Sequence, residues 1–500
     1  MAKTPDLGVR LRSFSIENRD AAVVAALYQE FDIDRPPTVM HGTSLRYRAQ
    51  IETPSGSREL FQETSASASL RCLRVMTSTF VRFLLLNSVL LVGTVQAQTV
   101  EHYRLELRPD FEARVLHGLA RIRLQGVESS MRFLHLRSPA LSVSRVRLDA
   151  KEVAFERAAG GWQVSIPATI AKGSGRQLEV EYSAPATEGL VFGRSYVYTA
   201  FNTCRWLPCL GSDLARTSFD LELDLPDGYK SVASGRPLVG SGIARQRWVE
   251  QRPYPIYTLG FAAGEFAEAF DPETSGRLRY LGAGQDEEKI RSKLKESARV
   301  LAFLEQKAGI PIPSPVYAQV LVPGEVAQEA SSFSVIGDAV LDPVLADPQE
   351  DWVVVHEMAH QWWGNLLTCS TWSELWLNEG IVVFMTAAWK QERWGEAAYQ
   401  RELALARQRW HRAVDAGLDK PLSWAGHYPS LSAMRAIHYS KGALFMHALR
   451  VEVGEEPFWA GLREYTRSHA GHDVTAKDLQ KSMEAITQRS LGPLFDAWVY

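Results

Sequence analysis

Two hydrophobic periodicities divide the chain. From Val100 to about Phe270 apolar and polar positions alternate. Tyr103, Leu105 and Leu107 alternate with Arg104, Glu106 and Arg108, and Ile122 and Leu124 with Arg121 and Arg123. Further along, Leu178, Val180 and Tyr182 alternate with Glu179 and Glu181, and Phe219, Leu221, Leu223 and Leu225 with Asp220, Glu222 and Asp224. A period of two turns one face to a core and the other to water, so each run predicts a strand. The turn clusters 158–161 and Pro226-Asp-Gly228 separate the runs, which predicts a mainly antiparallel β domain. After Gly284 the spacing changes to three and four. Ile290, Leu294, Ala298, Leu301 and Leu304 predict one amphipathic helix. A proline-rich break at Pro311 to Pro315 and a strand from Val316 to Val322 follow, and the rest is mostly helical. Thr475-Ala-Lys-Asp478 predicts a capping box, opening a helix whose apolar positions include Leu479, Met483 and Ile486. The fold class is therefore α+β: an N-terminal antiparallel β domain over 98–272, then a mostly helical domain over 273–500. No repeat of fixed period occurs.

Composition narrows the picture. Apolar residues make up 46% and charged ones 23%, which excludes a disordered or low-complexity chain. Lys plus Arg number 55 against 58 acidic residues, a net charge of -3, so no basic field points to nucleic acid. Of the four cysteines, Cys204 and Cys209 lie close enough to bridge in an oxidising compartment, whereas Cys72 and Cys369 have no neighbour. The apolar stretch Phe83 to Val95 contains Asn87 and is too short for a membrane span. Met76 and Arg82 precede it, and Val95-Gln-Ala97 follows with small residues at a signal-peptidase spacing, so 76–97 reads as a secretory signal. Residues 1–75 are then expected to be an upstream extension outside the fold. The product is expected to be exported, periplasmic or secreted, with no stable span after cleavage. The competing readings are a membrane anchor at 83–95 and a buried apolar helix in an intracellular protein.

The chemistry concentrates in His356-Glu357-Met-Ala-His360. Positions four apart stack on one helix face, so both imidazoles can grip one ion while Glu357, one step round, reaches a ligand water. Eighteen residues separate His360 from Glu379, within Trp376-Leu-Asn-Glu-Gly380. A carboxylate there completes a two-His, one-Glu zinc set that keeps a fourth position open, the catalytic arrangement.

The run His356-Glu-Met-Ala-His-Gln-Trp-Trp-Gly-Asn-Leu-Leu-Thr368, followed by Trp372-Ser-Glu-Leu-Trp-Leu-Asn-Glu-Gly380, resembles the thermolysin-like zinc aminopeptidases, the gluzincins. The resemblance implies a thermolysin-like catalytic domain, with His356, His360 and Glu379 holding one Zn2+ and Glu357 as general base. It gives Tyr439, in Tyr439-Ser-Lys-Gly442, to the oxyanion. Val326-Ala-Gln-Glu-Ala330 sits where the family carries its Gly-Ala-Met-Glu-Asn strand, which makes Glu329 the candidate for the substrate's α-amine, with Glu325 a competitor. Arg205-Trp-Leu-Pro-Cys209 resembles the family's Arg-x-x-Phe-Pro-Cys segment. Upstream, where the family places a Gln or Glu that also touches the amine, Ala200-Phe-Asn-Thr203 offers no acid. Leu491 to Tyr500 resembles the stretch that closes the catalytic domain, so a short member without the C-terminal helical domain is expected, its cleft open or covered by another subunit in a homo-oligomer.

The expected activity is removal of N-terminal residues from peptides through a zinc-bound water. A zinc hydrolase without N-terminal specificity (an endopeptidase or an epoxide hydrolase) and a non-catalytic binding protein stay open as alternatives. His438 reads as a surface or packed histidine, Cys369 as a buried apolar residue, and Trp362, Trp363, Trp372 and Trp376 as core packing round the zinc helices.

Overall fold

The computed structural model describes residues 10–18, 38–41, 46–53, 56–63, 99–125, 131–166, 176–238 and 245–500. The signal segment 76–97, its apolar stretch 83–95 and Cys72 lie outside the described residues. Two compact units divide the chain, Met1–Gly93 and Thr94–Tyr500. In the first, strands Thr38–His41, Arg10–Asn18, Arg46–Thr53 and Gly56–Glu63 form one sheet in that order, parallel in its first pair and antiparallel in the others.

The second unit begins as the alternation predicts. Its eight-stranded sheet has at its centre Arg216–Asp224, Thr99–Asp110, Val115–Gln125 and Arg176–Pro185. Tyr103, Leu105, Leu107, Leu178, Val180, Phe219, Leu221 and Leu223 are all buried, and every pair in this sheet is antiparallel except Ser218 to Leu223 beside His102 to Leu107. Cys204 and Cys209 form a disulfide in the same half.

The catalytic half opens with a mixed five-stranded sheet: Phe266–Phe270, Leu278–Ala283, Tyr317–Val322, Phe333–Gly337 and, at the edge, Ala327–Ala330. The strand near 316–322 is predicted by the sequence, Phe266–Phe270 closes the alternating stretch and Ala327–Ala330 lies where the resemblance places a strand, but the other two carry no signal, because Leu278, Tyr280 and Leu281 and all of Phe333–Gly337 are buried and show no alternation. The helix expected across 290–304 is two, Glu287–Lys293 and Ser297–Ala308. Where they meet, the Lys293 ammonium pairs with Asp338 and Asp342 at 2.6 Å each, and the buried Ser297 hydroxyl donates to Gln319 Oε1 at 2.7 Å. The capping box at Thr475 and Asp478 is present, yet Ile486 on the helix it opens is 40% exposed. Among the described residues no helix is long and apolar enough to cross a membrane.

Candidate metal centre

Every residue of the short helix Trp352–Ala359 from Val353 on is buried, three consecutive valines and Met358 among them, and this packing fixes the direction of its polar groups. His356 and His360 therefore meet, Nε2 to Nε2, at 3.2 Å. The helix Trp376–Trp394 brings Glu379 Oε2 to 3.4 Å from His356 Nε2 and 3.5 Å from His360 Nε2. Among the described residues this is the one group of three or more His, Cys, Asp or Glu side chains close enough to hold a metal. His360 Nδ1 lies 3.0 Å from the Trp363 carbonyl, which fixes Nδ1 as the protonated nitrogen and leaves Nε2 free to ligate. Gly364 makes room for that ring: its φ is +126° and a Cβ there would stand 2.7 Å from His360 Nδ1.

The residues fit a divalent cation. Glu329, Glu357 and Glu379 are all buried, and among the described residues neither Glu357 Oε2 nor Glu379 Oε2 has a hydrogen-bond donor. Three buried carboxylates around two imidazoles need positive charge, which a dication supplies. Without it, burial and then the neighbouring Glu329 push Glu357 well above the usual carboxylate range. Burial opposes ionisation of Glu379 too, but the His360 and His356 imidazoles hold it well below that range. Burial lowers His360, and the surrounding carboxylates outweigh it, to about 10.

Tyr439 sits on a π-helical turn, Ala436–Lys441. Such a turn carries one residue more than an α-helical one, and the bulge re-aims a side chain. The ring lies parallel to His356, centroids 6.2 Å apart and planes 9° apart. Burial, followed by the charges of Glu379 and Glu329, raises the phenol far above its ordinary value, so it stays a donor. Two glycines let this segment reach Glu379: a Cβ on Gly380 would stand 2.8 Å from Gly442 Cα. Lys441 anchors the turn through Asp419 Oδ1 at 2.9 Å and the Lys420 carbonyl at 2.7 Å.

Glu329 is buried on the edge strand and its carboxyl is pushed up to about 7, by burial first and then by Glu379, against the opposing pull of His360. The competitor Glu325 is exposed in the preceding turn. His438 is a packed histidine, edge-on to Tyr428, and burial holds it down at about 4. Cys369 is buried. Trp362, Trp363 and Trp376 are buried as expected, but Trp372 is 46% exposed and meets Tyr257 in an edge-on pair, since it lies in a surface 3-10 turn before the Glu379 helix.

Several residues that hold the centre together escape a reading by motif. Gln361 clamps the edge strand to the metal helix, donating to the Ala330 carbonyl and accepting from Ser332 N at 2.9 Å each. Tyr257, from the β domain, donates to the Gly364 carbonyl at 2.8 Å and accepts from Asn378 Nδ2 at 3.1 Å. Arg216 reaches the Leu366 carbonyl, Thr368 Oγ1, the His472 carbonyl and Asp473. Gln361, directly after the second histidine, is the only one with a local signal.

Residues 293–498 match the peptidase family M1 domain. Over 435 residues the chain is 24% identical to "Probable aminopeptidase 1" of Saccharolobus solfataricus, covering 80% of this chain and 53% of that protein. It is 25% identical over 442 residues to aminopeptidase N of Lactobacillus delbrueckii subsp. lactis, covering 80% and 50%. The chain thus spans about half the length of the curated relatives it matches. A crystal structure of a mutant M1 zinc metallopeptidase from Deinococcus radiodurans, bound to a Tyr-Ser-Ala substrate, superposes with a TM-score of 0.66 at 22% identity, covering 81% of this chain and 94% of that one.

Proposed function

We propose, from the match of residues 293–498 to the peptidase family M1 domain, that the protein is a zinc-dependent aminopeptidase of that family acting on peptides. The observation that carries the reading is the buried triad of His356, His360 and Glu379 with Glu357, Tyr439 and Glu329 around it. The triad would hold the zinc, which when bound supplies Lewis acidity toward a water molecule and the scissile carbonyl. Glu357 takes the proton of the attacking water at its carboxylate and passes it to the departing amine nitrogen. The Tyr439 hydroxyl donates to the oxyanion as charge develops, an interaction made only in the transition state. Glu329 binds the substrate's ammonium, and since it sits on the edge strand it fixes how far the peptide enters. We also read the chain as exported: the Cys204–Cys209 disulfide supports an oxidising compartment.

A peptide-library digest followed by mass spectrometry tests the activity. Stepwise loss of single N-terminal residues, stopped by a chelator and restored by zinc, is the expected result. Internal cleavage with equal treatment of blocked and free termini would replace the reading with a zinc hydrolase lacking N-terminal specificity.

A further inference from the structure

The loop Ala200 to Thr203 has no acid to contribute, yet it is not idle. Phe201 and Asn202 are consecutive non-glycine residues in the left-handed region, with φ of +40° and +42°. Side chains with a Cβ rarely adopt that region, so a consecutive pair persists only where the surroundings hold it. The surroundings are visible. Ala200 N donates to the Gly189 carbonyl and Arg205 N to the Asn202 carbonyl, a Cβ on Gly189 would collide with Asn202, and the disulfide closes the chain at Cys204. What the strained pair achieves is a backbone N–H aimed at the site: Phe201 N donates to Gln328 Oε1 at 2.6 Å.

That bond settles the orientation of a buried amide. A backbone N–H can only donate, so the atom it meets is the carbonyl oxygen and the NH2 group must point the other way. The other way lies Glu329, whose backbone carbonyl accepts from Gln328 Nε2 at 2.5 Å and whose Oε2 accepts from it at 3.1 Å. Gln328 is 2% exposed, and among the described contacts its amide is the one side-chain donor to Glu329. From the loop to the carboxylate the order is Phe201 N–H, Gln328 amide, Glu329.

We propose that Gln328 is a positioning residue that couples the 200–203 loop to Glu329. Its amide occupies Oε2, keeps the carboxylate in one rotamer and leaves the other oxygen for the substrate's ammonium. The loop thereby acts on the amine through Gln328 instead of touching it with an acid of its own. This rests on the aminopeptidase reading above.

The test uses the zinc-loaded full chain with a free tripeptide amide and its Nα-acetylated counterpart, comparing wild type, Gln328→Met, Glu329→Gln and the double variant. Methionine keeps the length and volume and removes the amide. Losing a hydrogen bond to a charged group should raise KM for the free peptide roughly ten- to a hundredfold, with kcat within about threefold. In the Glu329→Gln background the same substitution should do nothing further, which a general packing defect would not reproduce. An unaltered KM in Gln328→Met, or effects that multiply in the double variant, overturns the inference and leaves the aminopeptidase reading intact. Equal hydrolysis of free and acetylated peptide by wild type overturns that reading instead.

Discussion

The two ends of the site are built differently. The metal end comes from one stretch, 356–379: helix geometry turns His356 and His360 to one side, and the packing of the next helix against them brings in Glu379. The amine end is assembled from distant pieces: Phe201 from the β domain, Gln328 and Glu329 from an edge strand, and Gln361 as the clamp that holds that strand to the metal helix. The first end is set among buried valines and tryptophans, Val353 to Val355, Trp362, Trp363 and Trp376. The second depends on a chain of hydrogen bonds, each of which must form for the next to be placed. Chemistry is therefore expected to tolerate changes at the amine end far better than register does.

The sharpest way to break that contrast is Glu357→Gln, which should retain zinc by metal analysis while kcat falls roughly a hundred- to ten-thousandfold. Turnover near wild type would remove Glu357 from the proton transfer. Next in size, Tyr439→Phe should lower kcat about a hundred- to a thousandfold with little change in KM, read by steady-state kinetics. A comparable rise in KM would make Tyr439 a binding group. Gly380→Ala forces the Glu379 helix off Gly442 and should cost about 1–3 kcal/mol in denaturant unfolding, with a loss of activity from misplacing Tyr439.

The smallest effect concerns Asp351, buried just before the metal helix and bonded to Trp389 Nε1 at 2.7 Å. Burial raises its carboxyl to about 6 against an ordinary value near 3.8. The folded chain keeps this proton to higher pH than the unfolded chain, so the group's contribution is favourable below about pH 4 and is lost as pH rises through about 6. Asp351→Asn should therefore stabilise the protein more at pH 8 than at pH 4, by about 2 kcal/mol in the difference, measured by thermal unfolding against wild type at each pH.

The same contrast explains what was legible in the sequence. The triad and Glu357 can be read from spacing because a helix turns i and i+4 to one side, and the β domain from alternation because its strands have one wet face. The strands at 278–283 and 333–337 are buried on both faces and carry no period to read. Phe201 and Gln328 stand 127 positions apart, and no local pattern announces a backbone N–H bonding a side chain across that distance. The π-helical turn under Tyr439 and the Gly380–Gly442 approach are tertiary in the same sense. Tyr257 and Arg216 bind the metal-helix loop from the β domain, and only the folded chain brings them there.

The division of labour between the ends is tested most directly by kcat/KM for a free tripeptide and its Nα-acetylated counterpart, in wild type and in Glu329→Gln, with zinc content measured in both. The account predicts that wild type strongly prefers the free peptide and that Glu329→Gln loses most of that preference through KM while keeping one zinc per chain. An undiminished preference in Glu329→Gln, or a loss of zinc along with it, would contradict the account.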